Sequence, residues 1–220
     1  MARLQRFAWQ IPIPETPGNA SCADRQKTLT SRRVLYLIRH GETAWSLSGQ
    51  HTGRTDIHLT KKGAQDARNL GASLLPANPS HVFTSPRQRA QQTCALAGFG
   101  SIAQIESDLA EWDYGDYEGL RSAEILQKRP GWNIFLDGCP SGESPAQVSD
   151  RADRFIAKCR ELEGNIAAFT HGHFGRVLAA RWIGLSVCEG QRFFLSTASV
   201  SALGYEHNSP VINLWNATQP

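Results

Sequence analysis

Residues 34–43 read VLYLIRHGET, and this stretch decides both the fold and the chemistry of the chain. Its first five residues are apolar and rich in β-formers, which predicts a buried strand that delivers Arg39 and His40 to the carboxyl edge of a sheet. Open α/β sheets hold their ligands at that edge. A fixed arginine charge a few Å from a dication repels it, so the pair disfavours a metal site. The pair suits instead a histidine that attacks a phosphoryl group and a guanidinium that neutralises the phosphoryl oxygens.

Strand and helix signals alternate along the rest of the chain. Thr60 is a helix cap ahead of small and apolar residues on one helical face. The runs SPRQ at 85–88 and SPAQ at 144–147 each begin with a Ser cap followed by Pro. Further predicted elements are strands at 81–85 and 165–170, a helix at 174–185 and a closing hairpin of 196–206 with 211–217. The alternation predicts an α/β fold, a three-layer α/β/α sandwich with a mostly parallel central sheet, helices on both faces and an antiparallel edge.

Length and charge limit the classes of function. The 220 residues suit one domain at 34–220, preceded by a flexible extension at 1–33. The extension carries six basic and two acidic residues, whereas the remaining 187 carry 17 basic and 18 acidic ones, so the domain has no nucleic-acid footprint. No apolar stretch approaches the ~18 residues of a membrane span. The five cysteines have no CxxC spacing, which predicts reduced thiols and a cytoplasmic protein. Organellar targeting by residues 1–33 and assembly into a homo-oligomer stay open.

Three further segments carry chemistry. The segment after the 81–85 strand puts Arg89 in the first turn of a capped helix, where free amides and a guanidinium converge. The 165–170 strand delivers His171 in the same way that the first strand delivers His40, and Arg176 follows about one turn later. The irregular segment EWDYGDYEG at 111–119 contains a candidate general acid, Glu111, beside an aromatic residue.

A binuclear metal site is the alternative interpretation of the second histidine motif. His171 and His173 would place two imidazoles on one face of a strand, but Gly175 and Arg176 follow in place of a further carboxylate cluster. We therefore expect neither metal nor cofactor. The remaining histidines have no candidate catalytic or ligand residues near them in the sequence and are predicted to be structural or exposed: His51, His58, His81 and His207.

Taken together, these motifs resemble the histidine phosphatase superfamily, which includes the phosphoglycerate mutases. The matching runs are LIRHGET at 37–43, LTKKG at 59–63, TSPRQRAQQT at 84–93 and THG at 170–172. They are typical of the branch with Arg-His-Gly and a second His-Gly motif. The runs at 111–119 and 131–139 are most similar to those of fungal sedoheptulose-1,7-bisphosphatases.

The resemblance implies a metal-independent phosphatase of a small phosphorylated metabolite such as sedoheptulose 1,7-bisphosphate. It implies that His40 is the phosphorylated nucleophile and Glu111 the proton donor. Three groups would bind the transferred phosphoryl group, Arg39, Arg89 and a protonated His171. The implied substrate contacts are Ser46, Thr52, Gly53, Ser85, Tyr114 and Arg176.

Two alternatives remain open at this point. A phosphoglycerate mutase-type phosphotransferase usually has Asn in place of Ser46, and a longer segment than the 60 residues between Glu111 and His171. A non-catalytic adaptor that binds phosphorylated partners is expected to lack at least one of the five catalytic residues, and all five are present.

Overall fold

The computed structural model describes residues 33–74 and 77–218, and six strands within these ranges form one sheet. The order across the sheet is β3-β2-β4-β1-β5-β6. The first four strands in this order pair in parallel, whereas β5 pairs antiparallel with both β1 and β6. The strands are β1 Leu35–Arg39, β2 His81–Thr84, β3 Gln104–Ile105, β4 Ile166–Thr170, β5 Val200–Glu206 and β6 Ser209–Ala217.

Helices cover both faces of this sheet. Alternate residues of β1 belong to two separate hydrophobic cores, Leu37 to a core with α6 and α7 and Ile38 to a core with α2 and α3. The chain therefore forms the predicted three-layer sandwich with an antiparallel edge. The helices are α1 Ala44–Ser48, α2 Lys61–Leu74, α3 Gln88–Leu96, α4 Ser122–Lys128, α5 Ile134–Asp137, α6 Pro145–Glu161 and α7 Gly172–Trp182. Short 3₁₀ helices lie at Ser107–Leu109, Gly115–Tyr117 and Val187–Arg192.

Several of the predicted element boundaries are wrong. The helix predicted at 174–185 is α7 at Gly172–Trp182, and the last strand, predicted at 211–217, begins two residues earlier, at Ser209. Helix α3 begins at Gln88 with Arg87 as its cap, and not at Ser85, because the Ser85 hydroxyl is engaged by the Arg87 amide and by a histidine of the site. Strand β5 begins at Val200 and not at residue 196, because Ala198 adopts a left-handed conformation with φ of 51°. The Ser144 cap with Pro at the first turn of α6 is confirmed.

Two further predictions concern the extension at residues 1–33 and the absence of a membrane span. The predicted flexible extension, residues 1–33, lies outside the described residues except for Arg33, so its boundary stays a prediction. Within the described ranges, no helix has the length and apolar character needed to cross a membrane.

Candidate active site

The predicted catalytic residues meet at one edge of the sheet. Strands β2, β4 and β1 are parallel neighbours, so their carboxyl ends bring Ser85, His171 and His40 together. The rings of His40 and His171 have centroids 5.2 Å apart and planes inclined by 62°. The sheet thus presents two imidazoles to each other from adjacent strands, as the two His-Gly motifs predict.

His40 is held as a neutral imidazole. Its Nδ1 lies 2.7 Å from the Gly41 carbonyl oxygen, which can only accept, so Nδ1 carries the hydrogen and Nε2 keeps its lone pair. Burial lowers the pKa of His40 well below its ordinary value, and the charges of Arg89 and Arg39 lower it further. Glycine is needed next to it, because a Cβ on Gly41 would lie 2.5 Å from the Gly63 carbonyl oxygen. His40 can therefore act as a nucleophile through Nε2.

The two arginines of the site are fixed by backbone carbonyls. Arg89 is fully buried and donates to the carbonyls of Thr52 at 2.8 Å, Gly53 at 3.2 Å and Thr55 at 3.0 Å. Arg39 donates from Nη1 to the Leu195 carbonyl. The Nε atoms of both arginines are buried and have no hydrogen-bond partner among the described residues. Each guanidinium thus keeps a donor for an incoming oxyanion.

Burial also lowers the pKa of both guanidinium groups, because it penalises their charged form. The Glu111 charge opposes this effect at Arg39 and at Arg89. Arginine has an ordinary pKa above 12 and stays charged at neutral pH. The site therefore holds two fixed positive charges close to the neutral His40.

The surroundings of His171 favour its neutral form, whereas its protonation against a bound phosphoryl group stays a prediction. Burial, then the charge of Arg89, lowers its pKa well below the ordinary value. Its Nε2 lies 2.7 Å from the Ser85 hydroxyl oxygen, which already accepts from the Arg87 amide at 3.2 Å. The hydroxyl can then donate to Nε2, which leaves the imidazole hydrogen on Nδ1. That Nδ1 is buried without a partner among the described residues, so it offers an uncharged donor.

Glu111 is fixed at the N-terminus of α7. Its Oε1 accepts from the amides of Trp112 at 2.9 Å and Phe174 at 2.8 Å, and its Oε2 accepts from the His173 amide at 3.0 Å. The carboxyl group is nearly buried, with 8 % of the residue exposed. The positive end of the helix dipole adds to these three bonds in fixing its position. Oε2 has a single amide bond and keeps a lone pair that can carry a proton.

A cavity of about 460 Å³, called the first cavity below, opens beside His40. Arg39, His40 and Glu111 line it, as do four predicted substrate contacts, Ser46, Thr52, Tyr114 and Arg176. The other two predicted contacts are not among its lining residues. The Gly53 amide donates to the Glu118 carboxylate and its carbonyl accepts from Arg89, whereas Ser85 is paired with His171. All six roles as substrate contacts stay predictions.

Two histidines of this cavity were missed. His51, predicted to lie outside the site, is buried against it, and its ring stacks on Tyr114 with centroids 4.7 Å apart. The Tyr114 hydroxyl lies 2.7 Å from His173 Nδ1. Burial lowers the pKa of His51 to about 4 and raises that of Tyr114 well above its ordinary value. The proximity of His173 to His171 could have indicated that His173 belongs to the cavity. His51 lies in an irregular segment in which nothing indicates such a place.

Arg176 lines the first cavity and is held there by backbone carbonyls. Its Nε donates to the Gly190 carbonyl at 3.0 Å and its Nη2 to the Gln191 carbonyl at 2.9 Å. The guanidinium carbon lies 4.6 Å from the centroid of the Phe135 ring. Nη1 has no hydrogen-bond partner among the described residues, so it can donate to a ligand.

The metal interpretation of His171 and His173 does not match their geometry. His171 caps α7 and His173 lies in its first turn, so the two residues do not share the face of a strand. Over residues 33–74 and 77–218, no group of three or more His, Cys, Asp or Glu side chains could hold a metal ion.

Comparisons with known proteins agree with this geometry. The model of the family described as "Histidine phosphatase superfamily (branch 1)" matches residues 35–218. An acid phosphatase of Mycobacterium tuberculosis is 44% identical over 177 residues, which cover 79% of this chain and 87% of the relative. Sedoheptulose 1,7-bisphosphatase of Saccharomyces cerevisiae is 40% identical over 192 residues, which cover 73% of this chain and 70% of the relative.

Among solved structures, an open reading frame product of Mycobacterium tuberculosis superposes with a TM-score of 0.82 at 41% identity. The superposition covers 84% of this chain and 98% of that protein. The similarity therefore extends over the sheet and both helical layers.

Proposed function

The chain belongs to branch 1 of the histidine phosphatase superfamily and is a phosphatase, and from this premise we propose that it hydrolyses small sugar bisphosphates through a phosphohistidine at His40. One observation carries the proposal: a neutral imidazole with its hydrogen fixed on Nδ1 lies in the electrostatic field of Arg39 and Arg89. Such an imidazole is a nucleophile, and the arginines provide charge for the phosphoryl oxygens.

The first half of the reaction transfers the phosphoryl group to His40. The Nε atoms of Arg39 and Arg89 and the Nδ1 hydrogen of His171 bind the phosphoryl oxygens, which offsets the repulsion between a dianion and a nucleophile. The negative charge of the ester in turn favours the protonated forms of His171 and of Glu111 in the complex, so Glu111 enters the reaction as an acid. Nε2 of His40 forms a bond to phosphorus as the P–O bond to the sugar breaks, and Glu111 gives its proton to the departing alkoxide.

The second half returns His40 to its starting state. Glu111, now a carboxylate, takes a proton from a water molecule that attacks the phosphohistidine. The P–N bond breaks, and orthophosphate and the neutral imidazole are regenerated with Glu111 protonated again. The amide bonds from α7 support this role, because they keep Oε2 in one place through both steps. Since the charge is supplied by arginines, we propose that no metal takes part.

Arg176 supports a bisphosphate as the substrate. It lines the first cavity about one helical turn beyond His171, and its Nη1 is available to a second phosphate. The lining of the first cavity carries hydroxyl and imidazole groups that suit a polyol. One relative, at 40% identity, is named for a seven-carbon sugar bisphosphate, which supports sedoheptulose 1,7-bisphosphate or a sugar of similar length.

The test compares wild type with Arg176→Ala on a sugar bisphosphate and on its matching 1-monophosphate. We expect kcat/KM on the bisphosphate to fall roughly tenfold to hundredfold, because one charge-assisted contact is lost, and the monophosphate to be much less affected. Arg181→Ala is the matched control, since Arg181 lies on the same helix but pairs with Asp153.

Equal losses on both substrates, or none on either, would reject the role of Arg176 in recognising a second phosphate. The same assays separate a hydrolase from a phosphotransferase. Hydrolysis predicts stoichiometric phosphate release without a bisphosphate primer, whereas a mutase would require the primer and release little phosphate.

A further inference from the structure

A second cavity, of about 420 Å³, borders Glu111 from another side. Glu111 is a lining residue of both this cavity and the first cavity. Three arginines and three carboxylates dominate the charge of its walls: Arg54, Arg87, Arg151, Glu111, Asp113 and Glu143.

Two of the three arginines have their charge matched. Arg54 pairs with Asp113 at 2.5 Å. Arg151 pairs with Glu143 through two bonds of 2.7 and 2.8 Å and donates also to the Asp108 carbonyl at 2.7 Å. These guanidinium groups hold the wall of the cavity in place, and little of their charge is available to a ligand.

Arg87 is different. Its Nε is buried without a hydrogen-bond partner, and its guanidinium forms no ion pair with any carboxylate in the part of the chain that the structure describes. Its backbone is held in place, since its amide donates to the Ser85 hydroxyl and its carbonyl accepts from the amides of Ala90 and Gln91. The second cavity is therefore lined by a cation on a fixed backbone, and this cation has no ion-pair partner in those ranges.

This cation also lies close to the phosphoryl site. The Ser85 hydroxyl that accepts from the Arg87 amide is 2.7 Å from His171 Nε2. The charge of Arg87 is one of the causes that lower the pKa of His171 and of Arg89, after burial in both. An anion bound by Arg87 would thus lie near the place where the reaction forms orthophosphate.

We propose that the second cavity is an oxyanion site in which Arg87 binds inorganic phosphate, the product of the reaction. A guanidinium with a free donor is well suited to phosphate, and Ser107 and Gln147, which also line the cavity, add uncharged donors. The identity of the anion rests on the proposed function, whereas the binding itself requires no turnover.

The test measures how many orthophosphate ions the full-length chain binds, by equilibrium dialysis with radiolabelled phosphate. Wild type should bind two per chain, one at the Arg39 and Arg89 site and one in the second cavity. Arg87→Gln should bind one, with the second affinity reduced at least tenfold, and Arg87→Lys should retain two, because it keeps the charge. Arg68→Gln, which removes an exposed arginine of α2, should bind two.

Wild type that binds only one phosphate would overturn the proposal, even if Arg87→Gln failed to fold. The proposal would also be overturned if Arg87→Gln had the melting temperature of wild type and still bound two phosphate ions. Loss of the second phosphate in Arg68→Gln as well would also overturn it, because general charge would then explain the binding. A wild-type chain that turns over substrate but binds one phosphate would reject this site and leave the proposed function intact.

Discussion

Neutral histidines characterise this site at the scale of single residues. Burial is the first cause that lowers the pKa of His40, His51, His171 and His173 alike, and nearby arginines add to it at three of them. The positive charge of the site comes from guanidinium groups, which keep their protons at any physiological pH. Because the arginines carry the positive charge and the histidines stay neutral, His40 keeps the lone pair of a nucleophile in a strongly positive environment.

The buried imidazole of His51 makes the fold sensitive to acid. Its pKa is about 4 when folded and about 6.5 when unfolded, so acid favours the unfolded state as pH falls from about 6.5 toward 4. Between pH 7 and pH 5, wild type should lose about 2 kcal/mol more of its unfolding free energy than His51→Phe, which keeps the stacked ring. Urea unfolding at the two pH values measures the difference.

His207→Asn is the control for this experiment, because His207 is exposed in the turn between β5 and β6 and should leave the pH dependence as in wild type. If His51→Phe loses as much stability as wild type over the same pH interval, the buried imidazole does not titrate as described.

Helix α7 is the element that assembles the catalytic groups. His171 precedes it, Glu111 accepts two of its first amides, and Arg176 of its second turn lines the first cavity. One helix thus fixes His171, Glu111 and Arg176 relative to one another. A displacement of its N-terminus would move all three.

Elements that carry a local signal were predictable from the sequence. The apolar run at its start predicts strand β1, and the Ser-Pro pair predicts the cap of α6. Parallel pairing of two strands predicts that the two His-Gly motifs that follow them lie close together. The residues that support the site were not predictable, because their partners are distant in sequence. Thr52 and Gly53 hold Arg89 through carbonyls about 36 residues away, and Ser85 bonds to His171 in preference to capping α3.

A stability prediction belongs to helix α6. Ser144 accepts from the Gln147 amide and completes a capping box, so Ser144→Ala leaves that amide unsatisfied. We expect a loss of about 1 kcal/mol, or a melting temperature lower by about 2–4 °C. Thermal unfolding measures the change. Ser149→Ala makes the same replacement inside the helix and should be neutral or slightly stabilising, so an equal loss there would contradict the capping role.

The whole molecule arranges its charges around one carboxyl group. Glu111 borders both cavities, with Arg39 and Arg176 lining the first and Arg87 the second. In the proposed reaction, the sugar, the hydrolytic water and the phosphate therefore all lie next to the same residue. If guanidinium groups supply the charge that phosphoryl transfer requires, covalent transfer to His40 should proceed without a metal.

The most direct test of this central claim is to quench the reaction with a ³²P-labelled aryl phosphate within the first turnovers. We predict label on His40 that is lost in acid and stable in base, unaffected by chelators and absent from His40→Ala. Glu111→Gln should accumulate more labelled protein than wild type, because the water then lacks its base, and should turn over roughly 10²–10⁴ times more slowly on a sugar phosphate. Normal turnover by His40→Ala, label on another residue, or loss of activity with chelators would contradict the account.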